Sequence, residues 1–401
     1  MHTPISETML SHTCNVCREP LTAPIYESRG ERSLTSLCEL RPGRVRVWCC
    51  ERCGHLQGEP LADTAQYYGS DYRILLNHED EDQLYETERG PGCAEHIVYR
   101  TEHQLRVLLE RLPLETGARV LDYGCAKAAM PRLLAARRAD LQLHLFDVSD
   151  MYRSHWDRLL PREHQAVNET PPNWMGRFDA VTSFFALEHI PAPRASVAHV
   201  AALLREGGRF YGVVPCTVGN PADFVVIDHV NHFTAASLHR LLADAGFGAI
   251  EIEAGLHRGA LVFCAVKGAE AGAAPTPTPA DAVRQGRDLA RYWGGLGDRI
   301  ATAESAAGEV PAAIYGSGFY GAYIAASLAQ PQRLRCFLDR SPFQQGKTMF
   351  GQPVLAPAQL PEDVAQLYVG LNPAIARSAL ADQPWLASRR VHVFFLDEQA
   401  P

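Results

Sequence analysis

The sequence predicts an α/β protein with a doubly wound parallel sheet at its centre, a small cysteine-paired module before it and a second α/β unit after it. Three observations predict this. Apolar runs near 119–123, 143–147, 178–184 and 208–214 alternate with stretches of helical spacing, the pattern of strands joined by crossover helices. Two CxxC pairs lie in a turn-rich stretch near the amino terminus. A run of small residues and prolines, Gly268 to Pro279, cannot build a core and separates the centre from a later strand–glycine–helix pattern. The expected boundaries are 1–78 for the first module, 79–268 for the central unit, 269–283 for a linker and 284–401 for the last unit.

With 401 residues the chain exceeds what one hydrophobic core serves, which agrees with several units. A formal charge of −8 argues against broad binding to nucleic acid or anionic membrane, both of which need a positive surface. No stretch offers the roughly 18 uninterrupted apolar residues that a membrane span requires. Met1-His2-Thr3-Pro4 has neither a basic start nor an apolar run, so no signal peptide is expected and a cytoplasmic protein is.

Of 11 cysteines, four form the pairs Cys14/Cys17 and Cys50/Cys53 and the others are scattered. Each CxxC turn aims two thiolates at one ion, and two turns complete a tetrahedral zinc site. Cys49 adjoins Cys50; Cys50 is preferred because it restores the CxxC spacing. Four thiolates leave no open position, so the zinc is expected to be structural.

The central unit opens with the strand Arg119 to Tyr123, then Gly124-Cys125-Ala126. A second strand ends in Asp147, and a third runs from Phe178 into Ala186-Leu187-Glu188-His189. Strand, tight turn, helix, then a strand ending in an acid builds a nucleoside site: backbone approaches the ligand at the turn and the acid accepts ribose hydroxyls. The order resembles the class I methyltransferases that use S-adenosylmethionine (SAM). The resemblance implies SAM as cofactor, held by Asp122, Gly124, Cys125, Asp147, Phe184 and Ala186, with Asn168 and Glu169 near the adenine. This turn departs from the family in carrying Ala126 and Ala128 where glycines are usual, and alanine disfavours positive φ.

After the fourth strand, the segment from Asp223 to Thr234 packs three protonatable side chains, Asp228, His229 and His232, above the carboxyl ends of the strands, where open sheets place ligands. Histidine is a suitable base near neutral pH, and a neighbouring carboxylate holds and polarises it. At this point the whole chain resembles the sugar C-methyltransferases, which join a zinc module, a SAM domain and a Rossmann-like carboxy-terminal domain. Asp228-His229-Val230-Asn231-His232-Phe233 is similar to their Glu-His-x-x-Tyr-Phe run. The resemblance implies His229 as general base, with Asp228 or another nearby carboxylate orienting it and His232 near substrate. Glu188 and His189 are secondary candidates. Tyr67, Tyr68, Asp71 and Tyr72 resemble the family's tyrosine-rich edge over the substrate. The bland alternative makes Thr234 a helix cap and His232 a packing residue.

The last unit carries Gly316, Gly318 and Gly321 after a strand, and the next strand ends at Asp339, the form of a dinucleotide fingerprint. The turn from Asp339 to Lys347 instead resembles the family's own terminal domain, which implies no nicotinamide cofactor. The expected function is methyl transfer from SAM to a small acceptor, a nucleotide sugar on the resemblance. The alternatives are an O-methyltransferase of a polysaccharide or secondary-metabolite precursor, a nicotinamide oxidoreductase run by the last unit, and a non-catalytic zinc scaffold.

Overall fold

Seven strands form the central sheet: β1 (Arg119–Tyr123), β2 (Gln142–Asp147), β3 (Gln165–Val167), β4 (Phe178–Phe184), β5 (Leu204–Pro215), β6 (Phe247–Glu253) and β7 (Ala260–Lys267). Their order is β3-β2-β1-β4-β5-β7-β6. Only β7 runs against its neighbours. The structure is a computed structural model that describes residues 12–73, 81–89, 95–270, 277–381, 383–387 and 389–397. Residues 271–276 of the expected linker lie outside the described residues.

Strands covered on both faces read as nearly continuous apolar runs, and Val120 to Tyr123 of β1 are all buried. Helices α1 (Arg100–Arg111), α2 (Ala129–Arg137), α3 (Pro193–Leu203) and α4 (Ala235–Asp244) accompany the sheet. Thr234 caps α4, its hydroxyl accepting from Ser237 N at 3.2 Å. Strands β1, β2, β4, β5 and β7 coincide with the apolar runs expected to be strands, whereas β3, β6 and the hairpin Leu84–Arg89/Glu95–Tyr99 that leads into α1 were not expected.

The amino-terminal module joins the central unit through a shared sheet. Strands Tyr26–Glu27, Arg46–Cys49 and Leu56–Gln57 continue into Asn231–His232, which pairs antiparallel with Leu56–Gln57. Gly58 N also donates to Val230 O at 2.9 Å. A Cβ on Gly58 would lie 2.9 Å from His229 O, so only glycine lets the strands approach this closely. The 29-residue helix α5 (Pro279–Ala307) then crosses both units. Its Trp293 donates to Pro221 O at 2.8 Å and shares a core with Tyr26, Leu56, Phe224 and Tyr320.

The last unit has a six-stranded sheet in which the strand Ala312–Tyr315 is central and feeds helix α6 (Phe319–Ser327). The first strand, the glycine turn and the helix all lie where the sequence put them.

Candidate active site

The turn after β1 is fixed by the end of β2. Gly124 N and Cys125 N both donate to Phe146 O, at 2.8 and 3.1 Å. Ala126 N donates to Asp147 Oδ2 at 2.8 Å, and Trp156 Nε1 donates to Ala126 O at 2.6 Å. Ala126 and Ala128 adopt φ of 43° and 59°, so the left-handed turn forms without the usual glycines. Gly124, at φ 81°, leaves no room for a Cβ, which would sit 2.7 Å from Ala186 Cβ. The β1 turn and the β4 exit are thus in contact.

Asp147 accepts from Ala126 N and from Ser149 N at 3.1 Å, one donor to each oxygen. Burial raises its pKa against these backbone donors. Asp122 is buried, accepts from Thr182 Oγ1 at 2.8 Å, and is pushed up to about 7 by burial. Asp122, Gly124, Cys125, Asp147, Phe184 and Ala186 all line one cavity of about 1470 Å³, and Asn168 lines it too. Glu169 does not.

The same cavity reaches Glu188, His189, Asp223 and His229. His229 Nδ1 lies 2.6 Å from Asp223 Oδ1. Burial opposes charge on His229, but the hydrogen bond and field of Asp223, aided by Asp228 and Glu188, outweigh it and hold the ring at about 9. Burial likewise opposes ionisation of Asp223, yet His232 and His229 hold its carboxyl well below the usual range. Thr217 Oγ1 donates to Asp223 Oδ2 at 2.5 Å. Glu188 is 1% exposed, its Oε2 has no partner, and burial raises it to about 8 against the His229 charge. His189 is lowered to about 4 by burial and by His229.

Two expected catalytic residues stand elsewhere. Asp228 does not orient His229: its carboxylate accepts from Ser36 N and Ser36 Oγ, both at 2.7 Å, and from Tyr67 OH at 3.2 Å. Asp228 lies in a turn closed by His229 N donating to Val226 O at 3.2 Å. His232 is fully buried behind the site, its Nδ1 3.2 Å from Asp223 Oδ2, and is absent from the cavity wall. The orienting carboxylate is Asp223. It sits on the short helical turn Pro221–Val225, six residues before His229, a separation that no strand or helix periodicity picks out.

Tyr68 and Tyr72 reach the cavity from the amino-terminal module. The Tyr68 hydroxyl donates to Asp228 O at 2.8 Å and lies 2.9 Å from His189 Nδ1. Asp71 turns away to pair with Arg41 at 3.2 Å. From the other side Tyr320 OH accepts from Ala222 N at 3.0 Å, so the last unit holds the turn that carries Asp223.

Cys14, Cys17, Cys50 and Cys53 bring their sulfurs within 4.8 Å of one another. Cys14–Cys53 is 3.6 Å and Cys17–Cys50 is 3.4 Å. Four thiolates 2.3 Å from a tetrahedral ion stand about 3.8 Å apart, so the cluster is compatible with zinc. Cys49 lies outside it.

In the last unit a Cβ on Gly316 would meet Gly370 O at 2.5 Å, and one on Gly321 would meet Gly316 O at 2.0 Å. These glycines serve close helix–sheet packing. Asp339 Oδ2 accepts from both Ser317 N and Ser317 Oγ, and its Oδ1 accepts from Ser341 N.

Residues 94–252 match the sequence model of a family described as "Methyltransferase domain". The central unit is a methyltransferase domain. Among curated proteins, this domain is similar to the "Ubiquinone biosynthesis O-methyltransferase" of Xanthomonas campestris pv. campestris (strain B100). The match is 37% identical over 100 residues, 24% of this chain and 42% of that protein. The protein of the same name from Aromatoleum aromaticum is 32% identical over 100 residues, 24% of this chain and 43% of its own length. The chain thus spans less than half of these relatives. Among solved structures, a SAM-dependent methyltransferase from Mesorhizobium loti overlaps 41% of this chain and 97% of its own at 18% identity, with a TM-score of 0.34.

Proposed function

We propose that the protein transfers the methyl group of SAM to a small acceptor, with His229 as general base and Asp223 orienting it. The observation that carries this is the shared cavity: the Gly124–Asp147 turn and the Asp223–His229 pair open onto the same space. SAM sits on the turn with its ribose on Asp147, and Val148, 54% exposed on the cavity wall, offers an apolar face to the adenine. The acceptor lies between the methyl group and His229. On neutral His229, Asp223 keeps the proton on Nδ1 and leaves Nε2 to take the acceptor's proton. Walls from all three units hold the reactants together and limit water, which favours in-line transfer.

The acceptor is a nucleotide sugar in this reading, supported by the three-unit resemblance. If it reacts at carbon, His229 removes a proton α to a ketone and the enolate attacks the methyl group. The curated relatives support a second reading, attack by an oxygen whose hydroxyl His229 deprotonates. Zinc on Cys14, Cys17, Cys50 and Cys53 is structural. No nicotinamide cofactor binds the last unit in this reading, which is supported by the resemblance of the turn from Asp339 to Lys347 to the terminal domain of the sugar C-methyltransferases.

Incubation with methyl-labelled SAM and a panel of nucleotide sugars tests the reading. A one-methyl mass gain in a nucleotide sugar is the expected result, and label found only in phenolic or other hydroxyl acceptors would replace it with the second reading. Exchange of the acceptor's α proton with deuterated water, with S-adenosylhomocysteine in place of SAM, marks carbon attack.

A further inference from the structure

Glu188, His189 and His229 stand together on the wall of the reaction cavity, and each offers one ligand atom within 4.8 Å of the other two. Among the described residues the four cysteines form the one other such group. Glu188 and His189 lie on the short turn Leu187–His189 after β4, and His229 follows the turn Pro221–Val225. Backbone ties the two segments together, Val230 N donating to Glu188 O at 2.8 Å.

Both rings are held through one nitrogen and keep the other. His229 Nδ1 meets Asp223 Oδ1 at 2.6 Å, which leaves Nε2. His189 Nδ1 lies 3.1 Å from Asp228 O and 2.9 Å from the Tyr68 hydroxyl, whose own proton goes to Asp228 O. The His189 proton therefore sits on Nδ1, and its Nε2 carries a lone pair. A ring nitrogen donating to a carboxylate or carbonyl while the other faces outward is how metal-ligating histidines are oriented. Glu188 supplies an anion. It is 1% exposed, and its Oε2 is buried with no hydrogen-bond partner. The charges of His229 and Arg100 act on Glu188 through space, but neither bonds to Oε2. A carboxylate withdrawn from water without a donor is costly, and a cation bonded to it offsets that cost. Two imidazoles and one carboxylate are a donor set for zinc and its first-row neighbours, whereas magnesium and calcium take oxygen.

We infer that Glu188, His189 and His229 form a cation site inside the reaction cavity, distinct from the cysteine cluster and selective for zinc over magnesium. Its consequence rests on the general-base reading above: an ion on His229 Nε2 occupies the lone pair that would take the acceptor's proton, so a filled site holds methyl transfer off. The site is tested by elemental analysis after equilibration with zinc and removal of the free ion. The unaltered protein is expected to hold one zinc more than Glu188→Gln or His189→Asn, and Cys50→Ser is expected to keep that ion. Unchanged S-adenosylhomocysteine affinity shows that the variants are folded. Cobalt in place of this zinc should show ligand-field bands without a thiolate charge-transfer band, a readout that needs no variant. No extra zinc in the unaltered protein, a thiolate band on the extra ion, or its ready displacement by magnesium would overturn the inference and leave the base reading intact. With the acceptor that the panel above identifies, zinc that fills the site should stop transfer and a weak chelator should restore it. Undiminished transfer with the site filled would remove His229 as base and leave the cation site standing.

Discussion

Burial and charge pull His229 in opposite directions, and their balance decides when the ring can accept a proton. With a pKa of about 9, raised chiefly by Asp223 against burial, only about one ring in a hundred is neutral at pH 7 before ligands bind. Turnover at low acceptor concentration is therefore expected to climb with pH through about 9. Asp223→Asn removes the main opposing charge, so the limb should move to lower pH while turnover falls because the ring loses its orientation. His229→Asn is expected to cost about 10²–10⁴ in rate with S-adenosylhomocysteine affinity unchanged. The linked stability has a definite sign. A raised histidine pKa contributes stability that is complete below the unfolded value near 6.5 and is lost as pH rises through about 9. Urea midpoints across that window should show the loss in the native protein and not in His229→Asn. An invariant pH limb in Asp223→Asn would mean that another group sets it. His229 was legible because histidine beside acid on a loop after a strand is a recognisable pattern. Its pairing with Asp223 was not, because that contact is made by a short helical turn that only the folded chain brings up to the ring.

Local elements explain what the sequence left unsettled in the cofactor turn. Alanines at 126 and 128 disfavour positive φ, but the turn takes a left-handed shape because Asp147, Phe146 and Trp156 over-determine it. An alanine held at positive φ costs about 1–2 kcal/mol, part of which glycine would give back in unfolded-chain entropy. Ala128→Gly is thus expected to stabilise the protein by up to about 1 kcal/mol, read as a higher urea midpoint with an unchanged slope. A loss of stability would mean that the turn relaxes. The amino-terminal module makes the complementary case. Its cysteine spacing was readable because four thiolates at one point need only local turns. Its sheet pairing with Asn231–His232 was not, since two-residue strands carry no periodicity. That pairing ties the cysteine cluster and His229 to the ends of one sheet, Cys50 following Arg46–Cys49 and His229 preceding Asn231–His232. Gly58→Ala is expected to push the backbone at His229 O and cut turnover by more than about tenfold, while zinc content and S-adenosylhomocysteine affinity hold. Cys50→Ser is expected to lower zinc content where Cys49→Ser leaves it, by elemental analysis.

At the scale of the whole molecule, the amino-terminal module and the carboxy-terminal region converge on one short segment of the central unit, residues 217–234. The amino-terminal module holds Asp228 through Ser36 and Tyr67, helix α5 holds Pro221 through Trp293, and the last unit holds Ala222 through Tyr320. The strand–helix alternation of residues 119–267 and 312–327 was legible because it is a property of local composition. The convergence was not, because it depends on single hydrogen bonds between residues about 70 to 190 positions apart. It gives the terminal domain a role that needs no bound nicotinamide: its glycine motif packs α6 against the sheet, and α6 delivers Tyr320 to the Asp223 turn. Tyr320→Phe keeps the ring in its core and removes only the hydroxyl. The unpaired Ala222 N–H should cost about 1–3 kcal/mol of stability in the buried turn. Through misplacement of Asp223 the same change should lower turnover and shift the pH limb of His229, with S-adenosylhomocysteine affinity untouched. A merely structural hydroxyl would lower the melting temperature and leave the pH limb where it was. Micromolar binding of NAD or NADP, with Tyr320→Phe neutral in both measurements, would instead return the glycine motif to its dinucleotide role and make the terminal domain a second catalytic unit.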